Sequence, residues 1–131
     1  DPSALSGVAS ALPALLRAEK LQKRAARTGF DWPDITGVID KIIEELDEVR
    51  GAESAEHRQE EVGDLLFAVV NLARHLKVDP EQALRDANRK FERRFRSMET
   101  QSAEEGENFN ALPLDQKEAL WQSAKAREKD Q

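Results

Sequence analysis

Ile39-Asp40-Lys41-Ile42-Ile43-Glu44-Glu45-Leu46-Asp47-Glu48-Val49, and thirteen residues after Glu48 the stretch Glu61-Val62-Gly63-Asp64-Leu65-Leu66, decide the fold. In the first, Ile39, Ile42, Ile43, Leu46 and Val49 recur at helical spacing and predict one buried stripe. Each residue advances about 100° round such a helix. Lys41, Glu45 and Glu48 therefore collect on a polar seam beside the stripe. The second stretch belongs to a helix with Val62, Leu65, Leu66, Val69, Leu72 and Leu76 as its stripe and His57, Glu61, Asp64, Ala68 and Asn71 as its seam. A short connection makes two such helices antiparallel. Packed through their stripes, they would turn the two seams towards each other across a groove, where four carboxylates converge.

Outward from this pair the chain reads as helices throughout, with no strand-like alternation and no internal repeat. Five are expected, over residues 13–28, 36–52, 55–76, 80–99 and 116–127. Pro33 biases Trp32 away from helix, so residues 30–34 are expected as a loop. Ser54 has the place and chemistry of an N-cap, and Asp79-Pro80-Glu81 reads as cap, first-turn proline and first-turn acid. On the fourth helix Leu84, Ala87, Phe91, Phe95 and Met98 are expected inward. Asp115 and Glu118 have capping-box spacing ahead of a last helix anchored by Leu120 and Trp121. Residues 1–11 are expected as a flexible N-terminal segment, 12–128 as one domain, and 100–113 as a mobile loop within it.

Hydrophobic residues make up 39% of the chain and charged residues 35%, which suits thin layers of packed helices and apolar surface hidden between chains. An oligomer is expected. The net charge of −6 argues against a nucleic-acid binder, whose phosphate contacts need surplus Lys and Arg. It leaves room for a nucleotide, because carboxylates bind phosphates through divalent cations. With no cysteine, disulfides, thiolate metal sites and Cys nucleophiles drop out, in keeping with a cytoplasmic protein. No apolar run approaches the roughly 18–20 residues that span a bilayer, so no membrane partner is expected. The chain begins at Asp1 rather than Met and is expected to be a piece of a longer protein.

Oxygen-only clusters suit Mg²⁺ or Mn²⁺, hard cations that prefer carboxylate, phosphate and water. Pressed together without a cation, four carboxylates repel. Acids at helical spacing also form plain solvated faces, and pattern alone assigns Glu44, Asp47, Glu53 and Glu56 to that category. His57 and His75 have no partner motif and read as structural or surface residues. Asn71 is either a site residue or a polar packing residue.

Glu44-Glu45-x-x-Glu48 with Glu61-x-x-Asp64 resembles the signature of the MazG family of all-alpha nucleoside triphosphate pyrophosphohydrolases. Gly29-Phe30-Asp31-Trp32-Pro33 ahead of it, Asp64-Leu65-Leu66-Phe67-Ala68 with Val70-Asn71-Leu72-Ala73-Arg74-His75, and Ala87-Asn88-Arg89-Lys90-Phe91-Glu92-Arg93-Arg94-Phe95 look like that family's other blocks. The resemblance runs over residues 12–125 and is to the C-terminal, catalytic half of MazG. It implies an all-α helical bundle completed by dimerisation. It also implies hydrolysis of ribo- and deoxyribonucleoside triphosphates to monophosphate and pyrophosphate, with broad base specificity.

By the same resemblance Glu45, Glu48, Glu61 and Asp64 hold Mg²⁺, with Mn²⁺ a substitute. Glu44 or Glu45 activates water, with Glu61 also counted among the reacting groups. Lys90 and Arg94 grip the triphosphate and Lys41 reaches a phosphate or the nucleotide; Trp121 contacts the nucleotide by stacking on the base, and Lys125 assists. Segment His57-Arg58-Gln59-Glu60 borders the substrate, as do Glu45 and Asp64. Trp121 keeps a second reading from composition, a helix-docking anchor, and Lys90 and Arg94 keep one as surface charges. The expected assembly is a homodimer or higher. Two competing readings stand beside this one, a pyrimidine-selective dUTP or dCTP pyrophosphatase on the same bundle and a non-catalytic helical dimerisation module.

Overall fold

A computed structural model of the chain describes residues 1–129. They form five α-helices and a short 3-10 turn, with no strand among the described residues: α1 (Ala14–Ala26), α2 (Ile35–Gly51), α3 (Ala55–His75), α4 (Pro80–Glu104), the turn (Phe109–Ala111) and α5 (Leu114–Lys129). The all-α expectation is met. Two compact units divide the chain, Asp1–Ala83 and Leu84–Gln131, with the boundary inside α4.

The first unit is built on α2 and α3, with α1 against α3. Asp34 caps α2, its side chain accepting from the Thr36 amide at 2.9 Å. The Ser54 hydroxyl accepts from the His57 amide at 3.1 Å and caps α3 as expected. Each such cap is worth about 1 kcal/mol against alanine. Asp79 accepts from the Gln82 amide at 3.2 Å, the cap expected before Pro80. α3 ends with Lys77 in the left-handed region, φ 60°, and the Val78 amide bonded back to the Ala73 carbonyl at 2.8 Å. Residues 1–11 form turns alongside α1. Arg24 donates to the Ser6 carbonyl at 2.6 Å, and Arg17 donates to that of Ala9 at 3.3 Å.

Packing in this unit inverts the expected stripes. Val38 on α2 and Ala68 and Val70 on α3 are buried, together with Ala52 and the acids Glu45 and Glu61. Ile39, Ile43 and Leu46, expected inside, are exposed, and so are Val62, Leu66, Val69 and Leu76. Ile42, Val49, Leu65 and Leu72 are half-buried. The helices thus meet through their polar seams and the edges of the stripes. Most of the stripe residues remain outside the single-chain core.

The second unit centres on Met98, Leu120 and Ala124, with Phe95, Phe109, Leu112 and Trp121 packed around them. Phe95 meets Phe109 edge-on at 5.4 Å between ring centroids. Leu84, Ala87 and Phe91, expected inward, are exposed, because the core of this unit lies on the C-terminal half of α4. That helix runs to Glu104, so residues 100–104 of the expected loop are helical. α5 starts at Leu114, and the Gln116 and Lys117 amides bond to the Pro113 carbonyl. Asp115 is therefore a first-turn acid rather than the expected cap.

Candidate active site

A cavity of about 810 Å³ opens in the first unit. α1 contributes Leu21, Gln22 and Ala25, the following loop Gly29 to Trp32, α2 Lys41 and Glu45, and α3 Asp64, Phe67, Ala68, Asn71 and Arg74. Leu5 completes it from the N-terminal turns. The lining thus combines charge with an apolar and aromatic surface. Trp32 lies over the first turn of α2, where a Cβ on Gly37 would come within 2.7 Å of its ring. Glycine at 37 makes that close approach possible.

Glu45, Glu61 and Asp64 each bring a carboxylate oxygen within 4.8 Å of the others. Glu45 is 6% exposed and Glu61 9%, while Asp64 is open to solvent. Lys41, one turn before Glu45, places its Nζ 3.1 Å from Glu45 Oε1 and 3.5 Å from Glu44 Oε1. The bond to Glu45 is the main cause holding the Lys41 ammonium above its ordinary pKa. His57, one turn before Glu61, sits 3.1 Å from Glu61 Oε1 through Nε2. Each buried glutamate therefore has one oxygen anchored by its own helix. Glu45 Oε2, by contrast, is buried with no hydrogen-bond partner. An unpartnered buried carboxylate oxygen beside two further carboxylates, all hard oxygen donors, is the environment a divalent cation fits. These residues can bind a metal.

The other expected site residues divide by position. Glu48 is exposed and stands outside the three-carboxylate cluster. Glu44 is exposed beside Lys41, and Arg58, Gln59 and Glu60 are exposed on the first turns of α3. Lys90, Arg94, Trp121 and Lys125 belong to the second unit. There Arg94 donates to Glu128 Oε2 at 3.0 Å and lies 5.3 Å over the Trp121 ring. Arg93 also bonds Glu128, at 2.9 Å, and the two arginines hold that carboxylate below its usual pKa, Arg93 foremost. Trp121 meets Phe91 at 5.8 Å and forms part of the unit's apolar cluster, the docking geometry of its second reading. Lys90 is exposed and Lys125 half-buried.

Sequence reasoning missed a polar clamp at the cavity rim. Asp31, between Phe30 and Trp32, accepts from Arg74 through both oxygens and sits 2.9 Å from His75 Nε2. Asn71 Oδ1 accepts from the same guanidinium at 2.7 Å, which gives that residue a bracing role on the seam. Arg74, ahead of His75, lowers the Asp31 pKa to about 2. Partners 43 and 44 residues apart leave no periodic signal in one sequence. Gln22, buried on α1, was missed for the same reason.

Residues 34–98 match the family model of the MazG nucleotide pyrophosphohydrolase domain. A protein of Escherichia coli K12 named nucleoside triphosphate pyrophosphohydrolase is 47% identical over 98% of this chain and 51% of its own length. One from Thermotoga maritima, named nucleoside triphosphate pyrophosphohydrolase/pyrophosphatase MazG, is 46% identical over 87% of this chain and 45% of its own. The uncharacterized protein YabN of Bacillus subtilis is 42% identical over 98% of this chain and 27% of its own. The chain therefore spans about half the length, or less, of the curated relatives it matches. The matched segment takes in α2, α3 and all three clustered carboxylates, and by it the chain belongs to the MazG nucleotide pyrophosphohydrolase family.

Proposed function

We propose that this chain hydrolyses nucleoside triphosphates, ribo and deoxyribo alike, to nucleoside monophosphate and pyrophosphate with Mg²⁺ or Mn²⁺. The observation that carries the reading is the Glu45–Glu61–Asp64 cluster, with its unpartnered Glu45 oxygen, in the first unit with the cavity that Glu45 and Asp64 line. A volume of about 810 Å³ falls within the range of small-molecule sites. The names of the Escherichia coli and Thermotoga maritima relatives support the same substrate class.

Glu45, Glu61 and Asp64 would hold the cation, with Glu48 turned in from the next turn of α2. When bound, that ion neutralises phosphate charge and polarises phosphorus. Lys41 keeps its charge through Glu45 and offers an ammonium to a phosphate at the same wall. Glu44 or Glu45 takes the proton of the attacking water, and His57 fixes the orientation of Glu61. Water adds to phosphorus as the α–β anhydride bond breaks and pyrophosphate departs. The acidic site with its cation serves nucleotides in the cytoplasm. No helix among the described residues is long and apolar enough to cross a membrane.

The proposed assembly is a homodimer. Its support is the row of exposed apolar side chains on α2 and α3. Sites completed by helices of both chains, as the resemblance implies, would give Lys90 and Arg94 their role as phosphate contacts and Lys125 its assisting one.

Pyrophosphate release from eight ribo- and deoxyribonucleoside triphosphates tests the reading. Release from most of them with Mg²⁺, abolished by EDTA and cut on the order of 100-fold or more in Glu61→Gln, is expected. No release from the unmodified chain, or equal rates in Glu61→Gln, would overturn it. Strict pyrimidine preference would overturn the breadth alone.

A further inference from the structure

Two consecutive arginines of α4 converge on one carboxylate near the end of α5. Arg93 Nε donates to Glu128 Oε1 at 2.9 Å and Arg94 Nε to Glu128 Oε2 at 3.0 Å, one oxygen for each guanidinium. Two positive charges thus share one negative charge, and Lys90 lies exposed one turn before Arg94. A guanidinium meets carboxylate and phosphate oxygens through the same N–H pattern, so Glu128 fills the position a phosphate would take on these arginines. Arg94 has a second support, the Trp121 ring, whose centroid lies 5.3 Å from the guanidinium carbon, and its side chain is 15% exposed. It therefore keeps its place whether or not Glu128 is there. Glu128 is less firmly mounted. It lies on the last turn of α5, one residue before the helix ends at Lys129. An acid there faces the negative end of the helix dipole, and a terminal turn opens at little free-energy cost.

We propose that Glu128 is an autoinhibitory latch, whose carboxylate occupies the phosphate position on Arg93 and Arg94 and must leave before a polyphosphate chain binds there. The proposal rests on the phosphate role given to Arg94 above and adds what guards that arginine. While the latch is closed, the bridging carboxylate takes the Nε–H of both guanidinium groups. A carboxylate tethered beside its partners competes at high effective concentration, so weakly held anions such as free phosphate are kept off the pair. When the last turn of α5 opens, both donors come free for phosphate oxygens. Apparent affinity for the polyphosphate then scales with the fraction of molecules whose latch is open.

Calorimetry with Mg²⁺ and α,β-methylene ATP, whose α–β link resists hydrolysis, tests this at about 0.15 M salt. Glu128→Gln and Glu128→Ala are each expected to bind the probe about threefold or more tightly than the unmodified chain. Both keep the Arg127 bond to Gln101 that ties α5 to α4, and circular dichroism checks that each is folded. Glu118→Gln removes the same charge from an exposed position about 15 Å back along α5, beyond the reach of screened charge. It is expected to match the unmodified chain, and Arg94→Gln is expected to bind more weakly. A gain absent from the folded Glu128 variants, or equalled by Glu118→Gln, would overturn the latch. Weaker binding in the Glu128 variants would make that carboxylate a brace for the arginines instead. If Arg94→Gln loses affinity while the Glu128 variants gain none, the phosphate role stands and the latch alone falls. If Arg94→Gln keeps full affinity, the phosphate role falls and takes the latch with it. The expected affinities without pyrophosphate release from any triphosphate would sink only the proposed activity.

Discussion

Asp31 shows how one side chain can join distant parts of the chain and set a pH limit. Its pKa falls from 3.8 to about 2, chiefly through the hydrogen bonds of Arg74. A carboxylate with a depressed folded-state pKa contributes stability that is complete above its unfolded value and lost as pH drops through the folded one. The window here is about pH 4 down to 2. Its side chain is a quarter exposed, so after solvent screening the contribution is on the order of 1–2 kcal/mol. Asp31→Asn should therefore lower the stability at pH 7 by about that amount and flatten the acid limb between pH 4 and 2. Urea denaturation at stepped pH measures both, and an unchanged acid limb would show the clamp carries no weight. The acids Glu45, Glu61 and Asp64 were legible in the sequence, because i, i+3 and i, i+4 spacing puts Glu45 on one seam with Lys41, and Glu61 on a second with His57 and Asp64, while Glu48, marked by the same spacing, stays exposed outside the cluster. Asp31–Arg74–His75 was not, since nothing local ties a loop residue to a helix end 43 residues away.

Among elements, α3 offers a local test of backbone strain. Lys77 occupies the left-handed position after the helix, where the Val78 amide reaches back to Ala73, a geometry that glycine adopts without steric cost. Lys77→Gly is expected to raise stability by about 1 kcal/mol, measured as a higher urea midpoint at unchanged slope. A lower midpoint would mean that the lysine side chain contributes more than its backbone costs. Helix existence and most starts were readable from spacing, caps and prolines, with Ser54 and Asp79 placed correctly. The C-terminal end of α4 and the start of α5 were not, because polar residues 100–104 carry no stop signal beyond composition. Which face of α2 and α3 packs inward also escaped. Hydrophobicity marks a face that must be covered, but not whether the same chain covers it.

For the whole molecule, that distinction bears on assembly. Ile39, Ile43 and Leu46 on α2 and Val62, Leu66 and Val69 on α3 remain exposed while buried acids occupy the intrachain seam. Contiguous exposed apolar side chains of this kind mark interaction surfaces in soluble proteins. Ile43→Glu, at a position 54% exposed in the single chain, should leave helix content intact and convert the proposed dimer to monomer in light scattering. An unmodified chain that is already monomeric would sink the dimer. The two compact units also differ in a way that spectroscopy can exploit. The chain has two tryptophans and no tyrosine, and Trp32 falls in one unit while Trp121 falls in the other. Replacing either indole by phenylalanine leaves a single fluorophore, so that heating each variant records the melting of one half. Coincident curves would identify one cooperative block and displaced curves two, a distinction no measurement of average helicity can make.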